Sequence, residues 1–221
     1  MTPKANTTFG DLMAQFHHGI TGNEVQSGII PMRDAKTNVI AMIAFADDAD
    51  PLVFPENVPV LITSINRALP SAGTQGNLRK NLEIITLITN PTLIVIRISN
   101  PFPLVNGTPE FDASRVIGTT TDAGRTGIQA LLSAKSILGL TPKILIAPDV
   151  ESLDVVAALA SICKKIRAYA YVTPRDTDAV MLATAQLVTA YREQLAYREI
   201  EIIWPEFTSG NVFLGAESGE L

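Results

Sequence analysis

Four apolar residues in a row, Ile144-Leu145-Ile146-Ala147, stand between Thr141-Pro142-Lys143 and Pro148-Asp149. A run with no polar alternate has no wet face. It therefore predicts a strand covered on both sides, as strands of parallel sheets are, and excludes an edge strand with one solvated side. Segments of helical period lie on either side of it in the chain, which makes the cover helical. The segments at 37–45, 59–63, 92–99, 168–172 and 200–204 read as further strands built on the same plan.

Between these strands the helices are marked by stripes and stops. Leu78, Leu82, Ile85 and Thr89 give one apolar face, which Asn90-Pro91 ends. Ile128, Leu131, Leu132 and Lys135 predict a second helix, with Gly139 as its left-handed terminal residue and Pro142 as a stop. Val155, Leu159, Ile162, Cys163 and Ile166 form the stripe of a third, for which Ser152 is an N-cap and Asp154 a favourable first-turn charge. A fourth is expected to start from a cap at Asp176 or Thr177 and to carry Val180, Thr184, Leu187, Val188 and Tyr191. Strand, loop, helix, strand, repeated, predicts the α/β class: a mostly parallel, doubly wound sheet flanked by helices. The crossovers are expected to be right-handed.

Before the first strand, residues 1–36 are polar and aperiodic, and predict a flexible, extended N-terminal arm. The α/β core is expected at 37–207, and residues 208–221, which show no period, read as a tail or linker. With 221 residues, 47% hydrophobic and 18% charged, the chain is long and apolar enough for a packed domain. A net charge of −5 argues against a nucleic-acid groove or an anionic membrane patch. Basic residues come in pairs, Arg79-Lys80 and Lys164-Lys165, and read as solvated helix faces. The longest apolar run, residues 39–46, is far too short to span a bilayer, and Met1 to Asp11 contains no secretory apolar region. These features predict a soluble protein made in the cytoplasm. The single cysteine, Cys163, has no partner for an internal disulfide and reads as a small buried hydrophobe rather than a thiolate.

Several segments invite a chemical reading. Asp47-Asp48-Ala49-Asp50 groups three carboxylates but lacks the glycine and distal glutamate of a calcium loop, so it reads as a solvated turn. Gly118, Gly124 and Gly127 have neither P-loop nor dinucleotide spacing, so that stretch reads as a loop leading into a helix. His17 and His18 would need further ligands to hold a metal, and Asp11 and Glu24 are weak candidates. No metal or cofactor is expected. Ligands of open parallel sheets bind beyond the carboxyl ends of the strands. Those ends hold Asn100, Asp149, Arg175, Asp176 and Glu206. An enzyme or a small-molecule-binding domain would gather its groups there, and two carboxylates with an arginine suit a sugar or a phosphorylated substrate. Yet the strands end in Pro-Asp, Thr-Pro and Pro-Glu rather than in glycine loops, and no nucleophile elbow is present. The residues favour a non-enzymatic domain.

Thr141-Pro-Lys-Ile-Leu-Ile-Ala-Pro, followed by Val155-Val-Ala-Ala-Leu-Ala-Ser-Ile-Cys-Lys-Lys-Ile-Arg-Ala-Tyr-Ala-Tyr, resembles the contractile tail sheath protein of myophages and prophages. The likeness includes Ile117-Gly-Thr-Thr, Pro59-Val60-Leu61-Ile62-Thr63, Ala72-Gly73-Thr74-Gln75-Gly76 and Ile203-Trp204-Pro205-Glu206-Phe207. Upstream, Phe16-His17-His18-Gly19-Ile20 resembles the family's N-terminal arm. The resemblance implies a structural subunit without catalytic residues. Such subunits form stacked rings around a tail tube and contract to drive it through the host envelope. Implied partners are other sheath subunits, the tail tube protein, the baseplate and the tail terminator. The implied setting is the virion. The arm, with Phe16, His17, His18, Gly19, Ile20, Glu24 and Val25, would complete a sheet in a neighbouring subunit. Family members continue into a C-terminal domain that helps form the receiving sheet. The resemblance therefore implies that this chain alone has an arm without its acceptor, and is monomeric or weakly associating.

Overall fold

The computed structural model describes residues 39–209 and 212–214. The arm at 1–36, with Phe16, His17, His18, Gly19, Ile20, Glu24 and Val25, lies outside the described residues, as does most of 208–221.

The most completely buried strand is the first, β1 (Val39–Phe45), every residue of which except Phe45 is buried. It is followed by β2 (Pro59–Ile62), a short α1 (Ile65–Ala68), α2 (Leu78–Ile88) and β3 (Thr92–Ile98). Next come β4 (Leu104–Val105), β5 (Thr108–Pro109), α3 (Ala113–Ile117), β6 (Thr120–Thr121) and β7 (Gly124–Arg125). A 3-10 segment (Gly127–Ser133) leads into α4 (Ala134–Leu138) and β8 (Ile144–Ile146). The chain then alternates through α5 (Leu153–Ile166), β9 (Tyr169–Val172), α6 (Ala185–Glu193) and β10 (Ile200–Ile202), and a pair of strands, β11 (Phe207–Ser209) and β12 (Val212–Leu214), follows.

Six strands form one sheet in the order β10-β9-β8-β1-β3-β2. All neighbours are parallel except β2, which runs antiparallel to β3. Pro59 opens β2, and an edge strand is where a residue without an amide donor is tolerated. The chain winds from β1 to β3 on one side and then returns to β8 on the other, so the direction of winding reverses at β1. The run at 144–147 is thus an interior strand, as its apolarity requires, but a short one. β1 pairs over its whole length with β3, from Val39↔Thr92 to Phe45↔Ile98, and also carries β8, so it is the strand on which the sheet is centred.

The period of two along β1 sorts its side chains into two cores. Val39, Ala41 and Ile43 join Ile94, Ile96 and Leu145 beneath α5, which contributes Val155, Val156, Leu159, Ile162 and Cys163. Ile40, Met42 and Ala44 join Leu93, Val95 and Ile146 beneath Ile65 of α1 and Leu78, Leu82 and Ile85 of α2. The α2 and α5 stripes face the sheet as their spacing predicts.

Other expectations need correction. The fourth helix starts at Ala185, not near Asp176, and its cap is Thr184, whose hydroxyl accepts from the Leu187 amide. Asp176 instead holds a turn, accepting from the Asp178 and Val180 amides at 2.9 and 2.8 Å. The second helix is a 3-10 segment that becomes α-helical only at Ala134, although Gly139 does end it with φ 69°. Ser152 stands at the N-cap of α5, yet its hydroxyl makes no capping bond and is buried with no hydrogen-bond partner among the described residues. The proline-containing loop after β3 contains the pair β4–β5, and β11 pairs with β12 where the sequence shows no period.

Candidate functional site at the carboxyl edge of the sheet

Arg175 follows β9 and reaches across the ends of the strands. Its Nε donates to Glu151 Oε2 at 2.9 Å, and its Nη2 to Asp149 Oδ1 at 3.1 Å and Glu206 Oε1 at 3.3 Å. Its Nη1 donates to the Ala179 carbonyl at 3.1 Å. Three chain turns, those after β8, β9 and β10, are therefore tied by one planar cation, whose forked donors suit several carboxylates at once. Burial alone would lower the Arg175 pKa, and the charges of Glu151, Asp149 and Glu206 more than reverse that, so the guanidinium stays ionised.

Beneath this cluster lies a second layer. Glu151 is buried, and its Oε1 accepts from the Thr173 amide at 3.4 Å. Its backbone carbonyl accepts from the Tyr191 hydroxyl at 2.9 Å, which ties α6 to the start of α5. Burial, followed by the Glu151 charge, pushes the Tyr191 pKa upward, so this hydroxyl remains a donor. On the far side, Asn77 Nδ2 donates to the Pro148 carbonyl at 2.7 Å and to Asp149 Oδ2 at 3.4 Å. Asn77 Oδ1 accepts from the Phe45 amide at 3.0 Å, so this one side chain links the ends of β1 and β8.

Of the residues expected at this edge, Asp149, Arg175 and Glu206 converge. Asp176 does not, being occupied in its own turn. Asn100 does not either. It donates to Asp47 Oδ2 at 2.8 Å and accepts from the Phe102 amide at 2.9 Å. Glu151 and Asn77 are the residues sequence reasoning missed. Glu151 stands two positions after Asp149 and just before the N-cap Ser152, where a carboxylate usually reads as a solvated charge near a helix start. Nothing local marks it as buried. Chemically, the arrangement binds itself: four Arg175 hydrogen bonds go to the protein's own oxygens, which leaves the cation no free fork for a substrate phosphate or carboxylate.

The remaining chemical readings resolve structurally. Asp48 accepts from the Thr74 and Gln75 amides at 2.8 Å and from the Thr74 hydroxyl at 2.9 Å, and these amide bonds hold its pKa below the usual carboxylate value. A Cβ on Gly73 would lie 2.2 Å from Asp48 Oδ1, so this position needs glycine to admit the carboxylate. Asp50 Oδ1 accepts from the Leu52 amide and Asp47 faces Asn100, so the three aspartates point to three different tasks. Gly118 and Gly127 sit at the base of the β6–β7 hairpin with φ 66° and 55°. A Cβ on Gly118 would stand 2.0 Å from the Thr126 carbonyl oxygen, so these glycines serve a close backbone crossing. Cys163 is buried, and burial, followed by the nearby Glu199 charge, pushes its thiol up to about 12. Among the described residues no group of three or more His, Cys, Asp or Glu is placed to hold a metal ion, and no helix is long and apolar enough to cross a membrane.

No family model matches the chain. It is similar to the tail sheath protein of Escherichia phage P2, with 35% identity over 203 residues, covering 88% of this chain and 48% of that protein. It is likewise similar to the major tail sheath protein of Serratia phage KSP20, with 34% identity over 200 residues, covering 90% of this chain and 49% of that protein. The chain spans about half the length of the curated relatives it matches.

Proposed function

We infer that this chain, a relative of the phage tail sheath proteins over most of its length, works as a structural subunit of a contractile tail sheath. The observation that carries this reading is the identity of 35% and 34% sustained across 88% and 90% of the chain. The carboxyl edge supports it. Arg175 is engaged by three of the protein's own carboxylates, Asp149, Glu151 and Glu206, so the cation that would hold an anionic small molecule at this edge is committed to internal ion pairs.

In this role copies of the subunit build stacked rings around a tail tube. The α/β core is the rigid body, and the N-terminal arm, including Val25, adds a strand to a neighbour's sheet. Contraction of the rings drives the tube through the host envelope. The subunit meets the tube protein along the shaft and the baseplate and terminator at its ends. It resides in the virion and performs no catalysis.

Negative-stain electron microscopy of the complete gene product, expressed with its tube protein, tests the reading. Hollow, ridged tubes are expected. A monodisperse monomer under all conditions contradicts it. Val25→Pro removes a backbone donor from the arm and is expected to weaken assembly while leaving the melting temperature of the core unchanged.

A further inference from the structure

Beside the Arg175 cluster, an open cleft of about 570 Å3 is lined by the start of α5, the turn after β9 and α6. Small-molecule sites occupy about 300–1,000 Å3. The packing of α6 explains why the space exists. Of its 9 residues only Tyr191 is buried, and Leu187 is 51% exposed. Leu187 and Ala190 are thereby left in the wall of the cleft, together with half-buried Phe111 and Leu182. This wall is apolar and covers three separate segments of the chain.

The polar end of the cleft is the start of α5. Ser152 lines it and is only 5% exposed, and its hydroxyl has no hydrogen-bond partner among the described residues. Nor does that hydroxyl cap α5, so the first-turn amides of this 14-residue helix lack a side-chain acceptor. The neighbouring donors are already engaged. The Tyr191 hydroxyl donates to the Glu151 carbonyl, and Arg175 donates to Glu151, Asp149, Glu206 and the Ala179 carbonyl. A buried hydroxyl left unpaired costs free energy. Rotation about one bond turns it toward an acceptor brought into the cleft.

We propose that this cleft binds a small apolar molecule ending in an uncharged carboxamide, whose carbonyl oxygen accepts from the Ser152 hydroxyl at the start of α5. The charges around the cleft select against ionised heads. Exposed Asp154 and Asp176 also line it, and they repel a carboxylate or a phosphate. The positive end of the α5 dipole disfavours an ammonium. A carboxamide satisfies both neighbours, since its oxygen accepts from the helix start and its N–H groups suit the carboxylates. The apolar body lies against Phe111, Leu182 and Leu187. The bound molecule bridges α5 and α6 and buries surface that α6 leaves exposed. This inference goes beyond the sheath reading and does not rest on it.

Two-dimensional NMR titration of the full chain with benzamide, benzoate and benzylamine tests it, since the three probes share a ring and differ in charge. Benzamide is expected to shift the Ser152, Leu187 and Ala190 amide signals saturably and to raise the melting temperature. Benzoate and benzylamine are expected to bind about tenfold more weakly or worse. Ser152→Ala is expected to weaken benzamide binding about fivefold, the worth of one neutral hydrogen bond. It is expected to leave the melting temperature of the free protein unlowered, because the hydroxyl has no partner to lose. Leu187→Glu places a charge on the apolar wall at an exposed helical position and is expected to abolish the saturable shifts. If it lowers the melting temperature, Leu187→Gln carries the same test. Four outcomes overturn the proposal: no saturable shift at these amides, a charged probe that binds as tightly as benzamide, unchanged binding in Ser152→Ala, or unchanged binding in the Leu187 variants. Tube formation by the complete gene product bears on the sheath reading alone.

Discussion

Arg175 Nε stands 2.9 Å from Glu151 Oε2, and the Glu151 side chain is only 1% exposed. The two residues follow different strands, and their contact joins the turn after β9 to the start of α5. A carboxylate so buried is tolerable only while its cation stays in place. Removing one partner of such a pair costs about 3–5 kcal/mol, because the other is left charged and dry. Arg175→Met is therefore expected to destabilise the domain by that amount in urea unfolding. Arg175→Lys is expected to fall between, since an ammonium cannot span three carboxylates with a planar fork.

Gly139 and Gly127 have similar backbone angles, φ 69° and 55°, but different surroundings. A Cβ at Gly139 meets nothing within 4 Å, whereas one at Gly127 would lie 2.3 Å from the Val116 carbonyl oxygen. Gly139→Ala is expected to cost about 1 kcal/mol, the left-handed penalty alone. Gly127→Ala is expected to cost about 3 kcal/mol, because the backbone must also move. Paired chemical denaturation curves check the difference.

Asn81 is fully buried in α2, and neither its amide nitrogen nor its oxygen has a hydrogen-bond partner among the described residues. Asn81→Leu keeps the size of the side chain and removes two dehydrated polar atoms. It is expected to raise stability by about 1–2 kcal/mol, seen as a higher melting temperature. A lower one would mean that Asn81 has a partner in the assembled protein.

The Cys163 thiol is raised from 9.0 to about 12, chiefly by burial. Its folded-state pKa lies above the unfolded value, so the protonated form is bound more tightly when folded. This contribution is intact below about pH 9 and is lost as pH rises toward 12. Stability is expected to fall by about 1.4 kcal/mol per pH unit from this group in that window. Cys163→Ala is expected to flatten the slope by one proton. Folded protein is expected to resist thiol reagents near neutral pH and to react fully in urea.

The sequence by itself determined the class of fold. The buried run at 144–147, the stripes of α2 and α5, and the left-handed Gly139 are local facts. Each depends on periodicity or backbone preference within a few residues, and the structure keeps them. It also placed Asp149, Arg175 and Glu206 at one edge of the sheet, because strand ends of a parallel sheet share an edge. Tertiary structure alone decided what those residues do. Glu151, two positions after Asp149, reads like any solvated acid just ahead of a helix until β9 brings Arg175 beside it. Asp176 has the same chemistry as Asp149 yet spends it on its own turn, which moves the start of α6 to Ala185. Gly118 and Gly127 look like a loop leading into a helix until the backbone crosses itself there at 2.0 Å from a Cβ that glycine lacks. The physical reason is common to all three. Periodicity is set by neighbours in sequence, whereas desolvation, ion pairing and close backbone approach are set by segments distant in the chain, whose arrival no local pattern announces.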